Sequence, residues 1–397
     1  MRGRRAGAGG AVRGSTLSAA ERYLELGLRL GKQVDGLVDS YYGPAELKRQ
    51  VDAEGTIGAA QLAADGDALL AELPDGWLRD QVEGCATYAH VLAGDEISYA
   101  DEVEGCYGVR PVKTPVSVYE AVHARLDELL PGEGSLFERR QAWRTRHLVD
   151  GTTAVAVLQD LLPVLREHTR AIVELPEGEA ATIEPVSDEP WWAFNYYLGD
   201  LRSRVVLNTD VPTTGYDLIH LAAHEVYPGH HTEHAVKEQL LVRDRGAIEE
   251  TIQLVPTPQA VLSEGIAESG ADVALDGDGR SAAYDVLRRH GIVLDQELTE
   301  QIAKALEPLR TVGLDAALMI HDGGASHEQA QAHIERWNLV PPEQAAHSVG
   351  FATDPTWRAY VITYSAGRDL CRAYVGGDPA RFRRLLTEHV RIKELTE

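Results

Sequence analysis

A chain of 397 residues can build one large or two medium domains with substantial cores, and 44% apolar with 25% charged residues is an ordinary globular composition. The net charge of −24 argues against non-specific nucleic-acid binding and against an anionic membrane surface, since both need basic side chains. Cys85, Cys106 and Cys371 are too few and too scattered for a disulfide framework or a zinc ribbon, and no apolar run approaches the ~20 residues that span a bilayer, so a cytoplasmic protein is expected.

Residues 1–14 are basic and Gly-rich and lack the apolar stretch of a signal peptide, so they read as a disordered tail. A helical region over 15–140 and a chemistry-bearing region over 141–397 follow, or both form one continuous domain. Ser18 and Glu21 make a capping box, and Leu30, Val34, Leu37, Val38 and Tyr41 recur at helical spacing up to the break at Tyr41-Tyr42-Gly43-Pro44. Amphipathic helices are predicted at about 45–52, 58–72, 79–94, 96–106 and 115–130. Helical patterning resumes over 136–173, with Leu158, Leu161, Leu162 and Leu165 as a core stripe and Pro163 placed to kink or break it. Residues 181–186 read as extended, Trp191 to Tyr197 is the aromatic maximum, and Arg202 to Thr209 is a β-branched run that reads as a strand. The fold class is therefore mainly α: a large helical fold with a small sheet.

The chemistry concentrates between Thr214 and His234, which hold five of the 15 histidines. His220 and His224 are four apart and share a helical face, and Glu225 follows His224. A His-Glu pair on a helix is the core of zinc hydrolases, where the histidine holds the metal and the glutamate activates water. The usual second histidine, four residues on, is here Pro228, which excludes an unbroken HExxH helix. The second ligand is then His230, if Pro228-Gly229 bends the chain back; His231 and His220 are the alternatives. A long, charged and partly exposed helix is predicted from His234 to about 253, ended by Pro256 and Pro258. Glu264 and Glu268 then share a helical face among Gly265, Ala267, Gly270 and Ala271, which suit close helix packing; buried carboxylates there would want a partner. Two histidines with Glu264 leave a position open for water, Glu225 serves as general base, and Glu268 can accept from a ligand histidine. Donors for an oxyanion are sought among Tyr364, Tyr360, His321 and Arg358.

At His224-Glu-Val-Tyr-Pro-Gly-His-His231 the chain resembles the bacterial family called domain of unknown function 885, and Glu264-Gly-Ile-Ala267 is similar to that family's Glu-Gly-Trp-Ala. Weaker likeness takes in Val205 to Thr209, His321 and the Tyr364-x-x-Gly367 segment. The resemblance implies a zinc-dependent gluzincin-type hydrolase, similar to helical metallocarboxypeptidases, acting on a peptide or small amide. It implies His224, His230 and Glu264 as zinc ligands, Glu225 as base, and a small sheet beside the metal. The chain departs from the family at Thr232-Glu233 and ahead of His321 and Tyr364. Two other readings stand beside it. Two histidines and a carboxylate also make the facial triad of non-haem iron oxygenases, and the degenerate downstream motifs fit a non-catalytic metal-binding or scaffold protein.

Overall fold

The computed structural model describes residues 17–189, 191–275 and 277–396. The tail expected over 1–14 lies outside them. The fold is mainly helical, as the periodicity predicts. The helix opened by the Ser18–Glu21 capping box runs Ala19–Gly31, and the next five are Ala45–Ala53, Ala59–Glu72, Trp77–Ala93, Tyr99–Tyr107 and Val116–Leu129.

Three elements differ from the sequence reading. The first helix stops at Gly31, and Val38–Tyr41 is a strand paired antiparallel with Ile252–Leu254. A Cβ on Gly31 would lie 2.6 Å from Val38 Cγ2, and Gly36 turns the chain at φ +78°; the long-range ladder thus overrides the apolar spacing of 34–41. The pattern over 136–173 splits into helices Leu136–Arg146 and Gly151–Arg170, with Asp150 capping the second, which continues through Pro163. The long helix expected after His234 ends at Lys237, passes through a π-turn at Glu238–Arg243, and gives way to the strand Ile252–Leu254. Its charge divides: Arg243, Asp244 and Arg245 are exposed, but the residues next to His234 are not. Lys237 is buried and donates to buried Glu233 at 2.6 Å.

The main sheet has three strands in the order Ala180–Val186, Arg202–Asn208, Ala193–Gly199, the first pair parallel and the second antiparallel. The aromatic segment is thus an edge strand. One core joins the first helices to Val261, Ile266 and Phe382, and another joins Tyr119 and Leu126 to Val312 and Trp337, so residues on both sides of position 140 share cores. The predicted stripe Leu158, Leu161, Leu165 packs with Ile183, Val205 and Leu207 against Leu218 and Ala222, which seats the His-Glu helix on the sheet. Among the described residues no helix is long and apolar enough to cross a membrane.

Candidate metal centre

The helix Gly215–Glu225 opens on a capping box between Thr214 and Asp217 and closes at Glu225. Val226, Tyr227, Pro228 and Gly229 reverse the chain, and a second helix begins at His230. Gly229 makes the reversal possible. Its N–H donates to the Ala223 carbonyl at 2.9 Å, and a Cβ there would lie 1.8 Å from the His224 carbonyl oxygen. His230 is thereby folded back beside His224, with their Nε2 atoms 3.2 Å apart.

The third wall is the buried helix Pro258–Ala274, which begins with Pro258 in its first turn. Glu264 reaches 3.6 Å from His224 Nε2 with one oxygen and 3.8 Å from His230 Nε2 with the other. Gly265 and Gly367 set the depth of the next layer. A Cβ on Gly265 would lie 2.3 Å from the Gly367 carbonyl, and one on Gly367 would lie 2.3 Å from that of Val261. The π-turn Thr363–Gly367 therefore rests directly on this helix. Tyr360 donates to Glu264 Oε1 at 2.7 Å, and Tyr364 lines the adjoining cavity of about 740 Å³.

The hydrogen-bond network decides which His230 nitrogen is free. Ser263 donates its only O–H to Glu233 at 2.6 Å, so at 3.2 Å it can only accept from His230 Nδ1–H. His224 Nδ1 faces Glu268 Oε1 at 3.5 Å, an acceptor-only neighbour held ionised by Arg310 and His220. His230 thus carries its proton on Nδ1 and turns its Nε2 lone pair toward His224, whose own Nδ1 makes no hydrogen bond. One nitrogen of each histidine and the Glu264 carboxyl group converge on one point. Glu264 Oε2 is buried and makes no hydrogen bond. Ligand atoms bound tetrahedrally at 2.0–2.1 Å stand about 3.3 Å apart. The observed 3.2 Å between the nitrogens, and 3.6 and 3.8 Å from them to the two Glu264 oxygens, leave room for a zinc-sized ion between the two rings and the carboxyl group.

A second group, His220, His224 and Glu268, is also close enough to share an ion. It needs one less, because the Arg310 guanidinium already pairs with Glu268. Burial alone would raise Glu268, but His220, Arg310 and His224 hold it well below the usual carboxylate range. Glu268 stands 3.5 Å from His224 Nδ1, and Glu233, through Ser263, orients His230. Burial pushes Glu264 up to about 8, with help from Glu268 and Glu225 and against the Tyr360 hydrogen bond. Glu225 is likewise pushed up to about 8, by burial first and then by Asp39 and Glu268. Two buried carboxylates without a counter-charge are what a cation would relieve.

The consequence is a pH signature. Folded Glu225 and Glu264 hold a proton between their ordinary 4.5 and about 8, so without a cation stability falls as pH rises through that window. Buried His224 and His230 are pushed below their ordinary 6.5, so below that pH stability rises with pH and opposes the trend. Above 6.5 these two histidines no longer contribute, and within the site only the carboxylates act. Metal-free protein is expected to melt at lower temperature at pH 8 than at pH 6.5, and added zinc should remove the difference. A flat melting profile over that interval in metal-free protein would contradict uncompensated carboxylates.

Glu225, His224, His230, Glu264 and Tyr364 thus come together around one cavity. His321 does not. Its Nε2 is bound to the Ala352 carbonyl at 2.8 Å and its ring stacks on Tyr99, so the expected oxyanion role is corrected to a structural one. Arg358 is paired with buried Glu102. His231 is buried against Ser203 and Glu179, each at 2.8 Å, and is no ligand. The sequence reading missed Asp39, Glu233, Ser263 and Arg310. For Ser263 and Glu233 a signal was present, since Ser263 directly precedes Glu264 and Glu233 stands two residues after His231.

No family model and no curated protein matches this chain. Among solved structures it is similar to a crystal structure from Colwellia psychrerythraea described as that of a "putative lipoprotein". The two share 15% identity at a TM-score of 0.52, over 96% of this chain and 66% of that one, so this chain spans just under two thirds of its length. At that identity the likeness shows a shared fold and nothing about chemistry.

Proposed function

We propose that the chain is a zinc-dependent hydrolase that cleaves amide bonds in peptides, and that it belongs with the family its His224–His231 motif resembles. The observation that carries this reading is the convergence of one nitrogen each from His224 and His230 on the orphaned Glu264 oxygen, with Glu225 next in sequence to a candidate ligand. His224, His230 and Glu264 would hold the metal. A bound zinc ion would supply Lewis acidity and a water of lowered pKa. Glu225, buried and not a ligand, accepts the proton of the attacking water and returns it to the leaving amine. Tyr364, 39% exposed and open to the cavity, presents its hydroxyl to the developing oxyanion. Tyr360 fixes the Glu264 carboxylate. The edge strand Ala193–Gly199 lends Ala193, Phe194 and Asn195 to the cavity wall, where an extended substrate can pair with free backbone groups. Asn195 also donates to the Glu225 carbonyl at 2.5 Å, tying strand to helix end.

The test is elemental analysis of protein purified without added metal. About one zinc per chain is expected, falling below about a tenth in Glu264→Ala. Iron with oxygen consumption would favour the oxygenase reading instead. No transition metal in either protein would end the hydrolase reading.

A further inference from the structure

The cavity beside the metal centre contains one carboxylate that the proposed chemistry does not use. Asp39 lies on the short strand Val38–Tyr41, whose register against Ile252–Leu254 slips between Val38 and Ser40. It is the extra residue of a β-bulge, a device that re-aims a side chain. Its side chain lines the cavity. Among the described residues Asp39 makes no hydrogen bond and no ion pair.

The other cavity carboxylates are all engaged. Glu264 and Glu225 belong to the metal centre, Glu268 is paired with Arg310, and Asp354 accepts the backbone N–H groups of Thr356 and Trp357. No lysine or arginine among the described residues lines this cavity. An ionised carboxylate facing a water-filled space with no cation of its own is a receptor for one. Burial within the surrounding protein pushes Asp39 up to about 6, although its side chain is open to the cavity, so it remains mostly ionised at neutral pH.

The wall next to Asp39 is aromatic. Gly36, three residues before it, packs against Trp357, with the Cβ position 3.3 Å from the ring. Trp357 meets Tyr360 edge-on at 5.6 Å, and Tyr360 meets Tyr364 at 5.5 Å. Phe351 stacks on Trp357 at 6.0 Å. A line of rings therefore runs from the Asp39 loop to the Glu264 ligand. Such a wall receives the apolar body of a residue and adds cation–π attraction for an ammonium group.

We propose that Asp39 is the specificity carboxylate of this cavity and takes a protonated amine of the substrate, with the adjoining residue lying on the Trp357–Tyr364 wall. The amine is either the free amino terminus of a short peptide or the side chain of a basic residue. This assignment rests on the hydrolase reading for the word substrate, but the binding it predicts does not.

The test uses full-length protein carrying Glu225→Gln, so that no peptide is consumed, and three probes: Phe-Ala-Ala, its N-acetyl form, and N-acetyl-Lys-Ala-Ala. Calorimetry should show at least one cationic probe binding about tenfold more tightly than neutral N-acetyl-Phe-Ala-Ala, as a charged hydrogen bond allows. Preference for Phe-Ala-Ala identifies the amino terminus; preference for the lysine peptide identifies a side chain. Adding Asp39→Asn should erase the preference, and Asp39→Glu should retain most of it. Equal binding of all three probes, binding of none, or a preference that survives Asp39→Asn overturns the proposal. Preferential binding without cleavage by the wild type would leave the amine subsite standing and sink the hydrolase reading alone.

Discussion

Glu225→Gln is expected to lower turnover of any peptide substrate by about 10²–10⁴-fold while leaving zinc content unchanged. Glutamine matches glutamate in shape but cannot accept the proton of an attacking water. Glu225 lies outside the His224–His230–Glu264 group, so the ion does not need it. Burial makes its carboxyl a stronger base than an exposed one, and a dication nearby would keep it ionised at neutral pH. Zinc per chain and kcat on one peptide, measured on the same preparations, separate this role from a structural one. A variant that keeps zinc and keeps turnover removes Glu225 from the mechanism. A variant that loses both shows that Glu225 holds the site together instead. Loss confined to KM would assign it to substrate binding.

Gly229→Ala is expected to be the most damaging single methyl group in the molecule. The added carbon would stand 1.8 Å from the His224 carbonyl oxygen and 2.6 Å from that of Ala223, both backbone atoms of the ligand-bearing helix. Neither can retreat without breaking the Gly229–Ala223 hydrogen bond that reverses the chain. The cost is on the order of 3 kcal/mol or more. What folds should carry His230 displaced from His224, with zinc lost. Melting midpoints and zinc content check both statements. Gly55→Ala, where nothing lies within 4 Å of the added carbon, is the control and should change neither. Wild-type stability and zinc in Gly229→Ala would mean that the reversal has a different backbone course from the one described.

The determinants that could be read in the chain are local ones. Ser18 starts a helix because its hydroxyl and Glu21, three residues on, satisfy the first N–H groups, and that box forms; Thr214 and Ser326 carry the same local pattern and cap helices in the same way. Pro228 forbids a helix through His224 plus four for a covalent reason, so the break followed from sequence alone, while the structure singles out His230 from the alternatives His231 and His220. Glu264 and Glu268 share a face by helical geometry, and the glycines and alanines between them signalled a helix that another segment approaches closely. Each of these depends on residues within a turn or two of one another.

What failed depends on contacts between distant parts of the chain. Residues 34–41 have helical spacing, yet pairing with Ile252–Leu254 makes them a strand and a bulge, and this alone brings Asp39 into the cavity. The charged stretch after His234 read as one partly exposed helix; Arg243 to Arg245 are exposed, but Lys237 is buried because Glu233 neutralises it and Ser263 and Gln259 complete the set. His321 looked catalytic by its type, but the Ala352 carbonyl and the Tyr99 ring claim it. Which nitrogen of His230 is free was undecidable from sequence, since the answer lies with Ser263 across a helix interface. Spacing along a helix therefore determined which groups could act together. Packing between helices decided which of them are left with unpaired charge and open lone pairs, because a desolvated group's state is set by the neighbours that replace its water.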